Sequence, residues 1–463
     1  MNSVAIIGAG ITGLTAGHRL HRGAVPVTVF EAGSRVGGVI ASERTEGFLA
    51  EAGPNSLLET SPKITELIRE LGIEGRRIYT SGVASKRYVV RRRKPIALPG
   101  SAAGFFTTPL FSPAAKLRLT LEPFIRRSPE DLEESLAQFV RRRIGREFLD
   151  YAINPFVGGV YAGDPEKLSV RHAFPKLHAL EQRYGSLILG QFLGARERRR
   201  RNEVSKQNAK QLSFDEGLQV LPRALESELG KQVRLGSGAV RIERLPHSWR
   251  VTVREADREV QSEHSAVLFT GPTHKLADLQ MTLPEETDPG MFRQVHYPPV
   301  ASVALGFKRS DVAHALDGFG MLIPEVEQFN CLGCLFSSSL FPNRAPRDHV
   351  LLTCFIGGSR APELALLEQD EMERLILEDL GTLLGVRGNP VYRHYTRYTK
   401  AIPQYEVGFG RFKDHMNELE KRAPGFFLAG NFRNGIALGD SVVAGHDVAD
   451  RIRDFLGSKA QAS

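Results

Sequence analysis

The chain opens on an unbroken apolar run, Val4-Ala5-Ile6-Ile7, the pattern of a strand buried on both faces. Helical spacing follows from Ile11 to Arg22, and Val25 to Phe30 reads as a β-branched second strand. Ser61-Pro62 predicts an N-cap with proline at the first helical position. Ile64, Leu67, Ile68 and Leu71 share a face of that helix, and Gly72 closes it. Between Arg91 and Gln191 the pattern changes. Pro95 to Pro123 is rich in Pro, Gly, Ser and Phe, and a helix is expected from Ser128-Pro129 with Leu132, Leu136, Phe139 and Val140 on one face. Arg196 to Lys210 reads as an exposed charged loop.

Strands return after Ser213. Ala239 to Arg244 and Trp249 to Arg254 predict a hairpin, and Ala266 to Thr270 a buried strand. Further strands are expected at Ser302–Phe307, Gly320–Ile323, Leu332–Phe336 and Val350–Ile356, with an amphipathic helix over Glu363–Leu384. Phe426 to Ala429 is a last buried strand, followed by a glycine-bearing loop and a helix bearing Val448, Ile452 and Phe455. No repeats or low-complexity tracts interrupt this plan.

With 463 residues, 41% hydrophobic and 25% charged, the chain has the composition of a globular protein of two or three domains. No window reaches the apolar length of a membrane-spanning helix, and Met1-Asn2-Ser3 leads into a run too short for a signal peptide. Three cysteines, Cys331, Cys334 and Cys354, are too few for a disulfide scaffold, so a reducing compartment is expected. The Cys331-x-x-Cys334 pair lies in a strand-like run and reads as structural. The net charge of +8 is concentrated in Arg91-Arg92-Arg93-Lys94, Arg141-Arg142-Arg143 and Arg198-Arg199-Arg200-Arg201. Solvated faces, anionic lipid and nucleic acid are the open readings, and nucleic acid ranks last because no recognition motif accompanies the runs.

The strongest chemistry lies at the first strand–helix turn. Gly8-Ala9-Gly10-Ile11-Thr12-Gly13 is a GxGxxG that leaves a strand and opens a helix, whose amides and dipole suit a pyrophosphate. Glu31, eighteen residues after Gly13, ends the second strand where an adenosine ribose is bound. Arg35-Val36-Gly37-Gly38 supplies a second glycine loop with a cation, a pattern of FAD-binding oxidoreductases. At the other end, Gly430-Asn431 and Gly435-Ile436-Ala437-Leu438 form a strand–loop–helix start whose amides suit a reduced flavin ring. FAD is therefore the expected cofactor, with Ala32, Gly53, Pro54, Asn55 and Val240 completing its expected contacts. Thirteen histidines form no nucleophile–base or metal-ligand arrangement, so no metal is expected.

These motifs are joined by Glu51-Ala52-Gly53-Pro54-Asn55-Ser56, Lys86-Arg87-Tyr88, Asn154 to Pro165, Leu335-Phe336-Ser337-Ser338, Phe341 to Pro346 and Ile402-Pro403-Gln404-Tyr405. On them the chain resembles, nearly end to end, the protoporphyrinogen oxidase family of monoamine-oxidase-type flavoproteins. The resemblance implies an α/β plus α+β fold: a Rossmann-like FAD-binding domain (1–80, 207–275 and 415–463), a mixed-sheet substrate domain (276–414) and a helical membrane-associating insertion (86–200). It implies a six-electron, oxygen-dependent oxidation of a tetrapyrrole in three flavin cycles, each releasing hydrogen peroxide. Arg87 would pair with a propionate, Asn55 would lie near the macrocycle, the Gly159 carbonyl would face the pyrrole nitrogens, and Phe336 would stack on a ring. A homodimer, peripheral on the cytoplasmic face of the inner membrane and handing product to ferrochelatase, is also implied. Two departures stand out: Val39 replaces a second arginine after Gly38, and Phe432-Arg433 precedes a loop without the usual cysteine. The rival readings are a sister enzyme acting on coproporphyrinogen III and a non-catalytic binder related to GDP-dissociation proteins.

Overall fold

The computed structural model describes residues 2–129, 131–200, 209–282 and 288–462. The first apolar run forms the strand Val4–Ile7 at the centre of a five-stranded parallel sheet, in the order 233–234, 27–30, 4–7, 266–269, 426–428. Val4 pairs with Val27 on one side and Ala266 on the other, and Val267 with Phe426. All four residues of Val4–Ile7 and of Ala266–Phe269 are buried, as parallel strands covered on both faces require. The helix Ile11–Arg22 then packs against the last helix, Leu438–Ala462. A Cβ on Gly445 would lie 2.5 Å from the Thr12 carbonyl, so glycine sets how closely the two helices approach. Thr12 Oγ1 donates to the Ser441 carbonyl at 3.1 Å, and Arg19 pairs with Asp450 at 2.8 Å. The expected convergence of the two ends of the chain is present.

A four-stranded sheet contains the expected hairpin, Ser237–Arg244 with Trp249–Glu255. Next to it, His264 is buried and stacks edge-on to Phe30. Burial, reinforced by the Arg234 charge, lowers its pKa to about 4. An unfolded histidine titrates near 6.5, so the neutral ring stabilises the fold fully above that pH and less as pH falls toward 4. The expected loss is about 3 kcal/mol across that window. Urea unfolding at pH 7 and pH 4.5 should show this difference shrinking in His264→Phe.

The remaining sheet has seven strands, in the order 392–398, 300–308, 349–357, 331–335, 318–322, 86–91, 94–97, antiparallel except where 318–322 meets 86–91. Residues 86–97 thus belong to this sheet, and the helical insertion begins at Ala102. The three cysteines are buried and free in it, with Cys334 opposite Cys354. The expected helix over Glu363–Leu384 is split into a 3-10 turn, Pro362–Leu366, and the helix Gln369–Leu384.

In the insertion, the helix expected at Ser128-Pro129 starts instead at Leu136. Ser135 Oγ accepts from Gln138 N at 3.1 Å and Gln138 Oε1 accepts from Ser135 N at 2.9 Å, a capping box that outcompetes Ser-Pro. The expected loop from Arg196 also changes: the helix Leu187–Arg200 runs into it, while Arg201 and the rest up to residue 208 lie outside the described residues. The basic run at 141 is not a free cationic surface, and in the run at 91 only the first guanidinium is paired with a carboxylate among the described residues. Arg143 is fully buried against Glu181 (2.6 Å) and Glu122 (3.1 Å), Arg142 pairs with Glu134 (2.6 Å) and Glu181 (2.8 Å), and Arg141 pairs with Glu166. Arg91 pairs with Glu147 at 2.6 Å, and the Arg92 and Arg93 amides both donate to the Glu327 carboxylate at 2.8 Å. The guanidiniums of Arg91, Arg141, Arg142 and Arg143 thus each have a carboxylate partner, whereas Arg92, Arg93 and Lys94 are exposed, with the Arg93 guanidinium over the Phe329 ring at 4.6 Å. Beside exposed arginines such as Arg126, Arg127 and Arg146, the insertion also exposes large apolar side chains, among them Phe106, Leu117, Phe124, Leu132 and Leu193. Among the described residues, no helix is long and apolar enough to cross a membrane.

Candidate active site

The glycine turn Gly8–Gly13 sits at the carboxyl end of the central strand. A Cβ on Gly13 would lie 2.1 Å from the Gly8 carbonyl, and one on Gly8 would lie 2.9 Å from Thr270 Oγ1, so both glycines serve internal packing. Gly10 differs. Its backbone is extended (φ −69°, ψ 172°), and a Cβ there would meet nothing within 4 Å. Neither conformation nor packing demands glycine at position 10, yet the position faces open space at a helix N-terminus that no side chain caps. That is the cradle a pyrophosphate needs, with the first-turn amides from Ile11 to Gly13 as donors.

The second glycine loop closes beside it. Gly37 donates to the Ala9 carbonyl at 2.8 Å, and Gly37 and Gly38 have φ of +97° and +59°. Arg35 does not reach outward as expected: its guanidinium holds the Val36, Gly38 and Ile40 carbonyls at 2.7–3.0 Å and so shapes this loop. Glu31 accepts from the Ala9 and Gly33 amides, both at 2.8 Å, which fixes its carboxylate beside the turn. Ala32 lies against Gly238, and Val240 falls at the bulge between Ala239 and Arg241 in the strand that starts beside Glu31. Gly53 packs under Val39, where a Cβ would lie 2.2 Å from the Val39 carbonyl, and Asn55 Nδ2 donates to the Gly53 carbonyl at 3.1 Å. Asn55 thereby holds its own Gly53-Pro54 turn.

At the far end, Gly430 (φ +143°) leaves the strand Phe426–Leu428, Asn431–Asn434 makes one helical turn, and Gly435 (φ +112°), Ile436 and Ala437 lead into the helix at Leu438. The helix Asn154–Tyr161 ends nearby. Burial, with the Asp440 charge close by, pushes the Tyr161 hydroxyl up to about 12. Ala162 is left-handed (φ 50°), and the two amides that could close on the Gly159 carbonyl go elsewhere: Ala162 to Gly158 at 3.1 Å and Gly163 to Val157 at 3.4 Å. The Gly159 carbonyl is left as an acceptor outside the helix ladder.

That helix crosses the strand Gly318–Leu322, where a Cβ on Gly159 would lie 2.4 Å from Leu322 Cδ2. The paired strand Lys86–Arg91 carries Arg87 and Val89 on the same face as Leu322, and Tyr88 and Val90 on the opposite one. Arg87 is exposed, lies over the Phe319 ring at 5.5 Å and makes no ion pair among the described residues. Phe336 is 0% exposed and packs with Tyr88 (6.2 Å) and His314 (5.5 Å) on the opposite face. This overturns its expected stacking role, because a ring without exposed surface on the far face offers a ligand nothing. The half-buried aromatic beside Arg87 is Phe319, which the sequence pattern did not single out. Also unassigned were Thr270, whose Oγ1 donates to the Ile7 and Gly8 carbonyls at 3.0 Å, and the buried pair Glu51–Arg344 at 2.9 Å. The described residues contain no cluster suited to a metal ion.

Two glycine loops, an acidic strand end and a returning strand–loop–helix around one cradle define a dinucleotide-binding flavoprotein, an oxidoreductase that binds FAD. The chain belongs to the flavin-containing amine oxidoreductase family, whose model matches residues 11–453. It is similar to protoporphyrinogen oxidase 2, chloroplastic/mitochondrial, of Arabidopsis thaliana, 34% identical over 98% of this chain and 94% of that one. It is 29% identical to the coproporphyrinogen III oxidase of Bacillus subtilis (strain 168), over 96% of each. In fold it resembles a provisionally named protoporphyrinogen oxidase from Exiguobacterium sp. 255-15, with a TM-score of 0.80 and 24% identity over 97% of this chain and 98% of that one.

Proposed function

We propose that the protein oxidises protoporphyrinogen IX to protoporphyrin IX with molecular oxygen, in haem biosynthesis. The observation that carries the reading is Arg87: an exposed guanidinium without a carboxylate partner among the described residues, on the sheet face crossed by the Gly159 helix. A tetrapyrrole with two propionates needs an apolar surface with a cation at its rim, and Arg87 over the half-buried Phe319 ring would supply the cation beside an aromatic face. The free Gly159 carbonyl suits a pyrrole N–H, which would orient the macrocycle. FAD, when bound in the cradle, supplies the hydride acceptor, and three oxygen molecules become three of hydrogen peroxide for six electrons removed. Pyrrole nitrogens stabilise the cation left by hydride departure, so no strong protein base is required.

The exposed apolar side chains of the insertion support peripheral contact with the cytoplasmic face of the inner membrane, where an insoluble product would pass to a ferrochelatase. A homodimer completes the proposal on the pattern of the resembled family. Arg87→Ala should raise KM about tenfold with kcat within about twofold, since the cation acts on ground and transition states alike. Unchanged KM would remove Arg87 from the site. The four-propionate rival, coproporphyrinogen III, is tested by aerobic incubation of both substrates in parallel, following porphyrin fluorescence and peroxide. Faster turnover of coproporphyrinogen would overturn the proposal.

A further inference from the structure

The motif Ile402-Pro403-Gln404-Tyr405 contributes no group to the site above, yet Tyr405 is bound at both ends. Its backbone is held by the helical insertion: the Ser169 amide donates to the Tyr405 carbonyl at 2.8 Å, Leu168 bridges to Glu406, and Val407 donates to the Lys167 carbonyl at 2.8 Å. Its ring is 4% exposed and packs on Phe409 at 4.5 Å. Its hydroxyl reaches the C-terminal loop, where it donates to the Asn431 carbonyl and accepts from the Gly435 amide at 3.0 Å. Those two backbone groups flank the single helical turn Asn431–Asn434. Both Gly430 and Gly435 have positive φ, which the flanking helices do not stabilise.

We propose that Tyr405 is a positioning residue for the cofactor: its hydroxyl sets the spacing of the Asn431–Gly435 loop and ties that loop to the helical insertion. The proposal rests on the reading that this loop lies against the flavin. The hydroxyl is inserted between the carbonyl and the amide that an ideal α-turn would pair directly, Asn431 and Gly435, so it holds the turn open, and its loss leaves the loop free to change its spacing. Burial, the largest influence, raises the Tyr405 pKa, so the hydroxyl stays neutral and keeps both bonds across the range in which the enzyme folds.

Tyr405→Phe keeps the ring and removes both bonds. Titrating the apoprotein with FAD by flavin fluorescence should show Kd raised at least tenfold, with a changed shape of the visible flavin band in the fraction that binds. Tyr297→Phe is the matched control: it removes an equally buried hydroxyl whose partners are the Thr273 amide and Oγ1, both at 3.2 Å, rather than the loop. Its FAD Kd should stay within about twofold of wild type. Equal losses in both variants would show general destabilisation and overturn the proposal, as would an unchanged Kd in Tyr405→Phe. A wild-type apoprotein that takes up no FAD would instead defeat the underlying reading of the loop.

Discussion

Gly10→Val is expected to leave the protein folded and to weaken FAD binding at least a hundredfold, or about 2.7 kcal/mol. The Gly10 backbone is extended and a Cβ there meets no atom, so the protein itself has no use for glycine at that position. The cost to the fold is that of a poorer N-cap, at most about 1 kcal/mol. The isopropyl group would instead occupy the approach to the Ile11–Gly13 amides. Gly13→Ala is the contrasting variant: its Cβ would lie 2.1 Å from the Gly8 carbonyl, so the turn itself must deform. The checks are thermal unfolding of both apoproteins and FAD titration of each. Gly10→Val should separate binding from stability, and Gly13→Ala should lose both.

The second large effect concerns stability. Arg344→Met should destabilise the protein by about 3–5 kcal/mol, because it leaves the Glu51 carboxyl buried without its cation. Glu51 and Arg344 are each about 2% exposed, and Ser42 Oγ (2.5 Å) and the Leu218 amide (2.9 Å) complete the Glu51 shell while Ser213 Oγ (2.6 Å) contacts Arg344. Burial pushes the Glu51 carboxyl up to about 7, against the opposing pull of Arg344. Removing Arg344 raises it further. A carboxyl with a raised folded pKa binds its proton more tightly in the native state, so stability falls as pH rises from 4.5 through the folded value. The Arg344→Met penalty should therefore be larger at pH 8 than at pH 6 in urea unfolding, and Glu51→Gln in the same chain should recover much of it.

The nucleotide half was the most legible part of the chain. Val4–Ile7, Ala266–Phe269 and Phe426–Leu428 are short apolar runs that suit strands buried on both faces, and the glycine spacing after the first of them, opening a helix, pointed to a dinucleotide turn. What escaped depends on partners distant in sequence. Phe336 was assigned to the substrate because it lies in a recognisable motif, but just past its strand the ring turns into the core and packs with Tyr88 and His314. The basic run at 141 left a solvated face and a lipid contact both open because Glu122, Glu134 and Glu181, which neutralise Arg142 and Arg143, meet them only in the folded insertion. Glu51 and Arg344, 293 residues apart, each stood in a motif that was noticed, with nothing local to pair them. Ser135 and Gln138 carried a local signal that a preceding Ser-Pro obscured.

The central claim is that the two ends of the chain enclose one flavin. The direct measurement is the flavin content of the protein purified and reconstituted with FAD, read from its visible absorbance after removal of free cofactor. The account predicts a yellow protein with about one FAD per chain, and a clear loss in Gly10→Val. A colourless wild-type protein that retains no flavin at saturating FAD would contradict it.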